Sequence, residues 1–306
     1  MKGAQAMRWK RFKQQKQLQL IMIPMALWAI VIYYVPILGN IIAFKDYTIA
    51  QGFIGSPWVG FKHFISFFDN KFTLTILRNT LAMSLMGLIF GTIAAVVFAI
   101  LLNEIFNKYI KNIIQSISYL PYFISMAVTA TLFTQLLSRT GSINQWLISL
   151  GIINEGIPFL EQGNLFWIII TIQGVWKTIG WSAIIYLAAI AGIPQETYEA
   201  SYVDGAGRFR RMWHITLPAI TPTIAILLIL NSGYLLQGGF EQQLLMYNPL
   251  VMDYAEVINT YVYKRGLHAG EYSYATAVGV FQSGVSIMLI IFVNKITKKM
   301  VGQGLW

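Results

Sequence analysis

Ile193-Pro-Gln-Glu-Thr-Tyr-Glu-Ala-Ser-Tyr-Val-Asp-Gly-Ala-Gly-Arg-Phe-Arg-Arg-Met-Trp-His-Ile-Thr-Leu-Pro218 is a charged, aromatic island between two long apolar runs. Pro194 suits the first turn of a helix, where its missing N–H costs nothing. Glu196 and Glu199 lie near that N-terminus, where the helix dipole favours anions. Asp204-Gly205 reads as a stop, because glycine takes a positive φ freely. A second short helix with Arg208, Arg210 and Arg211 follows, and Pro218 opens the next apolar run. Tyr198, Tyr202, Ala206, Phe209 and Trp213 recur every three or four residues, which predicts one apolar face. Such a face needs a surface to pack on: the membrane interface, the protein's own helix ends or another protein.

The flanking runs decide the class. The chain has 306 residues, 56% hydrophobic and 11% charged, with a mean hydropathy of +0.59. A soluble domain carries about a quarter charged residues, so a soluble globule is excluded, and intrinsic disorder with it. Charge-free or nearly charge-free stretches long enough to cross a bilayer cover about 18–44, 79–103, 113–138, 165–193, 215–240 and 272–294, broken only by Lys177. Apolar on all sides, they predict helices. The expected fold is an all-α integral membrane protein with six transmembrane helices: a basic tail over 1–17, then one membrane domain over 18–306 with a connecting loop at 194–214. The first span exceeds a signal-peptide core and no small-x-small site follows, so it reads as a retained anchor. Pro121 predicts a kink in the third span, or the point where its embedded part begins.

The net charge is +10. In a soluble protein that balance would suggest nucleic acid; the distribution speaks for topology instead. Lys2, Arg8, Lys10, Arg11, Lys13 and Lys16 precede the first span, and Lys108, Lys111, Arg208, Arg210, Arg211, Lys295, Lys298 and Lys299 fall on the same side of a six-span chain. Those 14 cations face seven on the other side, Lys45, Lys62, Lys71, Arg78, Arg139, Lys264 and Arg265. Positive residues stay inside, so both termini are expected in the cytoplasm, with the basic tail an orientation signal and a lipid contact. There is no cysteine, and His63, His214 and His268 are not at metal-ligand spacing; no metal site and no catalytic cluster is expected.

The loop resembles the EAA loop of bacterial ABC importer permeases, whose pattern is Glu-Ala-Ala, three residues, Gly, nine residues, Ile-x-Leu-Pro. Here stand Glu199-Ala200-Ser201, Gly205 and Ile215-Thr216-Leu217-Pro218 at full spacing, with Ser201 the one departure, small for small. The order and spacing of Gly55-Ser-Pro-Trp-Val-Gly60, Arg78-Asn-Thr80, Leu120-Pro121, Gly239-Phe-Glu-Gln242, Thr260-Tyr-Val-Tyr263, Tyr274-Ala-Thr-Ala-Val-Gly279 and Gly304-Leu-Trp306 extend the likeness to permeases for complex oligosaccharides over nearly the whole chain. The resemblance implies a type I ABC importer permease fold in a bacterial plasma membrane. It implies ATPase coupling through Glu199, Ala200, Ser201, Asp204, Gly205, Ala206, Arg208, Ile215, Leu217 and Pro218. It also implies a second permease subunit, two cytoplasmic ABC ATPases that bind the ATP and Mg, and an extracytoplasmic sugar-binding lipoprotein. No P-loop is present in the chain itself, so it is expected to be a transport subunit and not an enzyme.

Polar residues inside spans carry the remaining information. An intramembrane charge costs ~2.5–3.5 kcal/mol on insertion scales, and no acid lies within any of the six spans to pair with Lys177. Lys177 therefore either lines a sugar path or is held structurally, by carbonyls or a partner's acid. Gln173 and Trp176 lie within a turn of it, Asn231, Tyr234 and Gln237 recur at i, i+3, i+6, and Gln282 is mid-span. These seven residues are the candidate substrate path, because sugars need planar polar groups beside aromatic faces; ordinary interhelical bonding at ~0.6 kcal/mol each is the plainer reading of any one of them. Glu241 and Gln242 lie at the outer end of the fifth span, and the aromatic-rich outer loops 45–78 and 238–271 read as interfacial anchors. The alternatives are a permease for amino acids or peptides, against which the absence of acids to pair an α-amine argues, and a secondary transporter, for which coupling acids and internal repeats are missing.

Overall fold

The computed structural model describes residues 15–237, 239–302 and 304–305; most of the basic tail lies outside the described residues. The principal helices are α1 (Lys16–Phe44), α2 (Thr73–Asn103), α3 (Lys108–Phe123), α4 (Met126–Leu137), α5 (Gly163–Ala191), α6 (Gln195–Val203), α7 (Arg208–Ser232), α8 (Phe240–Met246) and α9 (Tyr272–Val301). Among the described residues there is no strand, only an isolated antiparallel bridge between Lys45 and Trp58. Five helices, α1, α2, α5, α7 and α9, are each long and apolar enough to cross a membrane; α3 with the segment Met126–Ser149 makes a sixth crossing if that bent pair counts as one.

Two spans differ from the sequence expectation. The third, read as one helix over 113–138, is two helices meeting at 100°. Its break is not at Pro121 but just beyond, where Ile124 and Ser125 turn extended and the Ser125 hydroxyl caps α4 by accepting from the Val128 N–H at 3.3 Å. The fifth, read over 215–240, starts earlier and stops sooner. α7 runs from Arg208 through a π turn at Met212–Thr216, so Pro218 falls inside a continuous helix, and it ends at Ser232, where Gly233 begins a run of turns. A proline has no N–H to donate, and the wider π turn just before it absorbs that gap; α1 repeats the arrangement with a π turn at Ile30–Tyr34 before Pro36.

Bilayer tails are as apolar as leucine, so helices associate through small residues that let backbones approach. Ala95, Ala99 and Ala183 are fully buried between α2 and α5, with Tyr186, Ile190 and Ile220 beside them. Gly180 of α5 lies against the α3 backbone, where a Cβ would sit 2.1 Å from the Ser118 carbonyl oxygen. At the other end of the bundle, Phe166, Ile169 and Ile170 pack with Met83, Met246 and the segment around Val251–Val257. α1 is exposed over its apolar length and meets α9 through Asn40–Phe44. Between the two buried clusters α2, α5 and α7 part and leave a cavity.

Candidate functional site: an uncharged cavity and an exposed loop

The cavity has a volume of about 510 Å³. α2 supplies a stripe of small residues to it, Ser84, Gly87, Gly91, Thr92 and Ala95; α5 supplies Thr171, Gly174, Thr178, Trp181 and Ser182; the end of α7 and the chain beyond it supply Asn231, Tyr234, Gln242 and Gln243. Among the described residues no charged side chain lines it. Trp181 stacks on Tyr122 with ring centroids 4.5 Å apart. The wall thus sets hydroxyls, amides and an aromatic plane among apolar side chains such as Leu88, Ile170, Val175, Ile185 and Leu227.

Of the seven path residues read from sequence, the structure brings Asn231 and Tyr234 to this cavity. Tyr234 lies in the turns after α7, so the i, i+3, i+6 spacing is not a helical face. Gln237 is in the same turns, and its carbonyl accepts from the Asn259 amide at 2.8 Å. Gln173 is fully buried behind Gln242, whose Nε2 donates to its Oε1 at 2.9 Å. Trp176 packs on Phe133, centroids 5.7 Å apart. Gln282 donates to the Leu236 carbonyl and to Asn259 Oδ1, a brace between α9 and the outer segments. Lys177 turns to α3: its ammonium donates to the carbonyls of Pro121 at 3.2 Å, Tyr122 at 3.3 Å and Ile124. They lie at and just beyond the C-terminal end of α3, where intrahelical donors run out, with Pro121 also accepting from the Ile124 N–H at 3.3 Å, and a cation there also faces the negative end of the helix dipole.

Sequence reading missed Thr171, Thr178, Trp181, Ser182 and Gln243, and noted Gln242 only for its place at the outer end. The signal was there as the small and hydroxylated positions 171, 174, 178 and 182, one face of α5 beside the face that carries Lys177 and Gly180.

The loop 194–214 is α6, a turn and the start of α7. Gly205 has φ +71° and a Cβ there would meet nothing within 4 Å. Glu199, Ala200 and Asp204 are exposed, and Val203 and Phe209 stand 89% and 83% exposed. Ser201 is buried and donates to the Tyr198 carbonyl at 2.6 Å, so the small residue of the pattern faces inward. Ala206 offers its carbonyl to Arg211 at 2.8 Å, and the same guanidinium lies 3.9 Å from the Tyr202 ring centroid. Arg208 stands 4.6 Å from the Phe106 ring centroid. Leu217 and Ile215 are half-buried and Pro218 is exposed on α7. The single apolar face expected from Tyr198, Tyr202, Ala206, Phe209 and Trp213 does not form. The Gly205 turn separates the two helices, Tyr198 bonds inward to Thr216 Oγ1 at 2.9 Å, and Arg211 covers Tyr202.

At the far end of the bundle from this loop, a smaller cavity of about 370 Å³ is lined by Asp46, His63, Arg265, Glu271 and Tyr272, among others. The hydrogen bond from Lys62 to Asp46, 3.0 Å, holds that carboxyl below its usual value of 3.8.

Comparison with known proteins agrees with this geometry. The family described as binding-protein-dependent transport system inner membrane component matches residues 87–304. The chain is 45% identical to protein LplB of Bacillus subtilis (strain 168) over 96% of this chain and 92% of that one. It is 40% identical to the polygalacturonan/rhamnogalacturonan transport system permease protein YteP of the same organism, over 96% and 91%. It superposes on a chain of a bacterial alginate ABC transporter, solved in complex with its alginate pentasaccharide-bound periplasmic protein, with a TM-score of 0.88 and 35% identity, over 97% and 99% of the two chains.

Proposed function

This chain belongs to the binding-protein-dependent transport system inner membrane components, a multi-pass ABC transporter permease and not an enzyme, and from that premise we propose that it carries an oligosaccharide into the cytoplasm. The carrying observation is the uncharged cavity of Asn231, Tyr234, Gln242, Gln243, Trp181 and hydroxylated residues between α2, α5 and α7. Amides and hydroxyls match the polar edge of a pyranose, and an aromatic plane matches its C–H face. An amino-acid or peptide permease would want an acid for the α-amine, and a secondary transporter would want one for ion coupling; this lining offers neither. The relatives that handle polygalacturonan, rhamnogalacturonan and alginate support the sugar class.

In this reading a second permease subunit supplies the opposite wall, by analogy with secondary transporters, whose site lies at the interface between repeats. A periplasmic-type binding protein, present in the solved alginate complex, delivers the sugar to the outer face. Two ATPase subunits meet the loop around Gly205 from the cytoplasm, where both termini also lie. ATP and Mg bind those subunits. Glu199, Ala200, Val203 and Asp204 present the contact, and Ser201, Arg211 and Tyr202 hold the loop's shape.

The test is the reconstituted complex in proteoliposomes, with binding protein and a panel of galacturonan, alginate and glucan trisaccharides. At least one trisaccharide is expected to stimulate ATP hydrolysis and accumulate inside. Gly205→Trp adds strain at a positive φ, about 1–2 kcal/mol, and a bulky group on an exposed turn; it is expected to leave insertion intact and abolish stimulation. Normal sugar uptake by that variant sinks the coupling assignment, and stimulation by amino acids alone sinks the sugar assignment.

A further inference from the structure

We propose that Gln242 and Gln243 form a hydroxyl-reading corner of the cavity, with Gln173 as the positioning residue behind them; this rests on the cavity being the transport path. All three amides are at least nine-tenths buried, with relative exposures of 8%, 3% and 0%. Successive positions on a helix point about 100° apart, so from the one short helix α8 Gln242 reaches α5 while Gln243 reaches α2. The Gln242 Nε2 donates twice, to the Ile170 carbonyl at 2.8 Å and to Gln173 Oε1 at 2.9 Å. That fixes the Gln173 acceptor and leaves its Nε2 without a partner. Gln243 Nε2 has a thioether, Met83 Sδ at 3.7 Å, and its Oε1 has no partner.

Buried amides are ordinarily satisfied. Two of the four buried side-chain atoms left without a partner among the described residues belong to these amides: the Gln173 donor, fully buried behind Gln242 and off the cavity wall, and the Gln243 acceptor, on a residue that lines the cavity. A sugar hydroxyl can donate, so it complements the Gln243 oxygen. A carboxylate, which only accepts, would leave the Gln243 oxygen unmatched. The corner therefore reads a donating hydroxyl of the sugar and takes no part in recognising its carboxylates.

The test measures sugar imported per ATP hydrolysed by the reconstituted complex, using the trisaccharide with the largest response, together with the melting temperature of the ligand-free complex. Gln243→Met keeps the volume and removes the amide. It is expected to lower the sugar-to-ATP ratio about fivefold, the factor one neutral hydrogen bond is worth, without lowering the melting temperature, because an unsatisfied amide is being removed. Gln173→Met is expected to lower the ratio less. An unchanged ratio overturns the proposal, and so does a fallen melting temperature or failed assembly of Gln243→Met, either of which marks a structural amide. Thr178→Trp, which fills the cavity from α5, separates the two levels. If it leaves uptake intact, the path reading itself falls; if it blocks uptake while Gln243→Met leaves the ratio unchanged, only the glutamine assignment falls.

Discussion

Lys177 shows what one side chain can decide. Its ammonium donates to the carbonyls where α3 stops, and it is the one charge within the six apolar runs. Replacing it with Met is expected to destabilise the assembled complex by about 2 kcal/mol, the scale of hydrogen bonds to a charged donor, with Arg restoring part of the loss; a thermal melt of both variants checks this. Impaired transport at unchanged stability would instead place Lys177 in the sugar path. The sequence marked this lysine as unusual, because a charge in an apolar run is costly. Its partners were not legible, since which carbonyls lie free depends on where a neighbouring helix breaks. The Gly205 turn was legible, because it is local and set by one glycine at a positive φ.

Elements were legible where length and apolarity alone define them, and less so at their ends. α2 begins at Thr73 and not Asn79 because Arg78, Asn79 and Thr80 are held by the outer segment. Arg78 Nη2 and Asn79 Nδ2 donate to the Asp253 carbonyl at 2.7 and 3.0 Å, Asn79 also donates to the Glu256 carbonyl at 3.0 Å, and the Ile258 N–H donates to Thr80 Oγ1 at 3.0 Å. Three consecutive side chains thus clamp the segment that roofs one buried cluster. Asn79→Leu leaves the buried Glu256 carbonyl without this donor, while Asp253 keeps Arg78, and is expected to cost about 1–3 kcal/mol, with hydrogen exchange rising first over residues 250–262; unchanged exchange there would refute the clamp. The failure of the aromatic periodicity around Gly205 has the same origin as the misplaced end of the fifth span. A period read through a glycine turn assumes one helix axis where the chain has two.

At the scale of the whole molecule, the fold class, the connecting loop and the apolar helices followed from composition and charge, whereas the cavity did not, because its wall is assembled from small residues that look like ordinary packing. The absence of cysteine makes topology directly testable. Glu155→Cys, between α4 and α5, is expected to react with an impermeant maleimide from outside whole cells, and Arg210→Cys only after permeabilisation; the reverse pattern would overturn the proposed orientation. The bend between α3 and α4 gives that experiment its weight. At 1.5 Å per residue the 16 residues of α3 span about 24 Å, short of a ~30 Å hydrocarbon core, so the crossing needs both arms. Were the pair to dip in and return, the parity of the chain would flip beyond it. Arg139, Lys264 and Arg265 would join the N-terminal face, the three loop arginines and the three C-terminal lysines would leave it, and 14 cations against seven would become 11 against ten. The bend that Lys177 holds together is thus also the hinge of the charge asymmetry: in the proposed orientation, a completed third crossing is the condition for the 194–214 loop and both chain ends to share one face of the membrane.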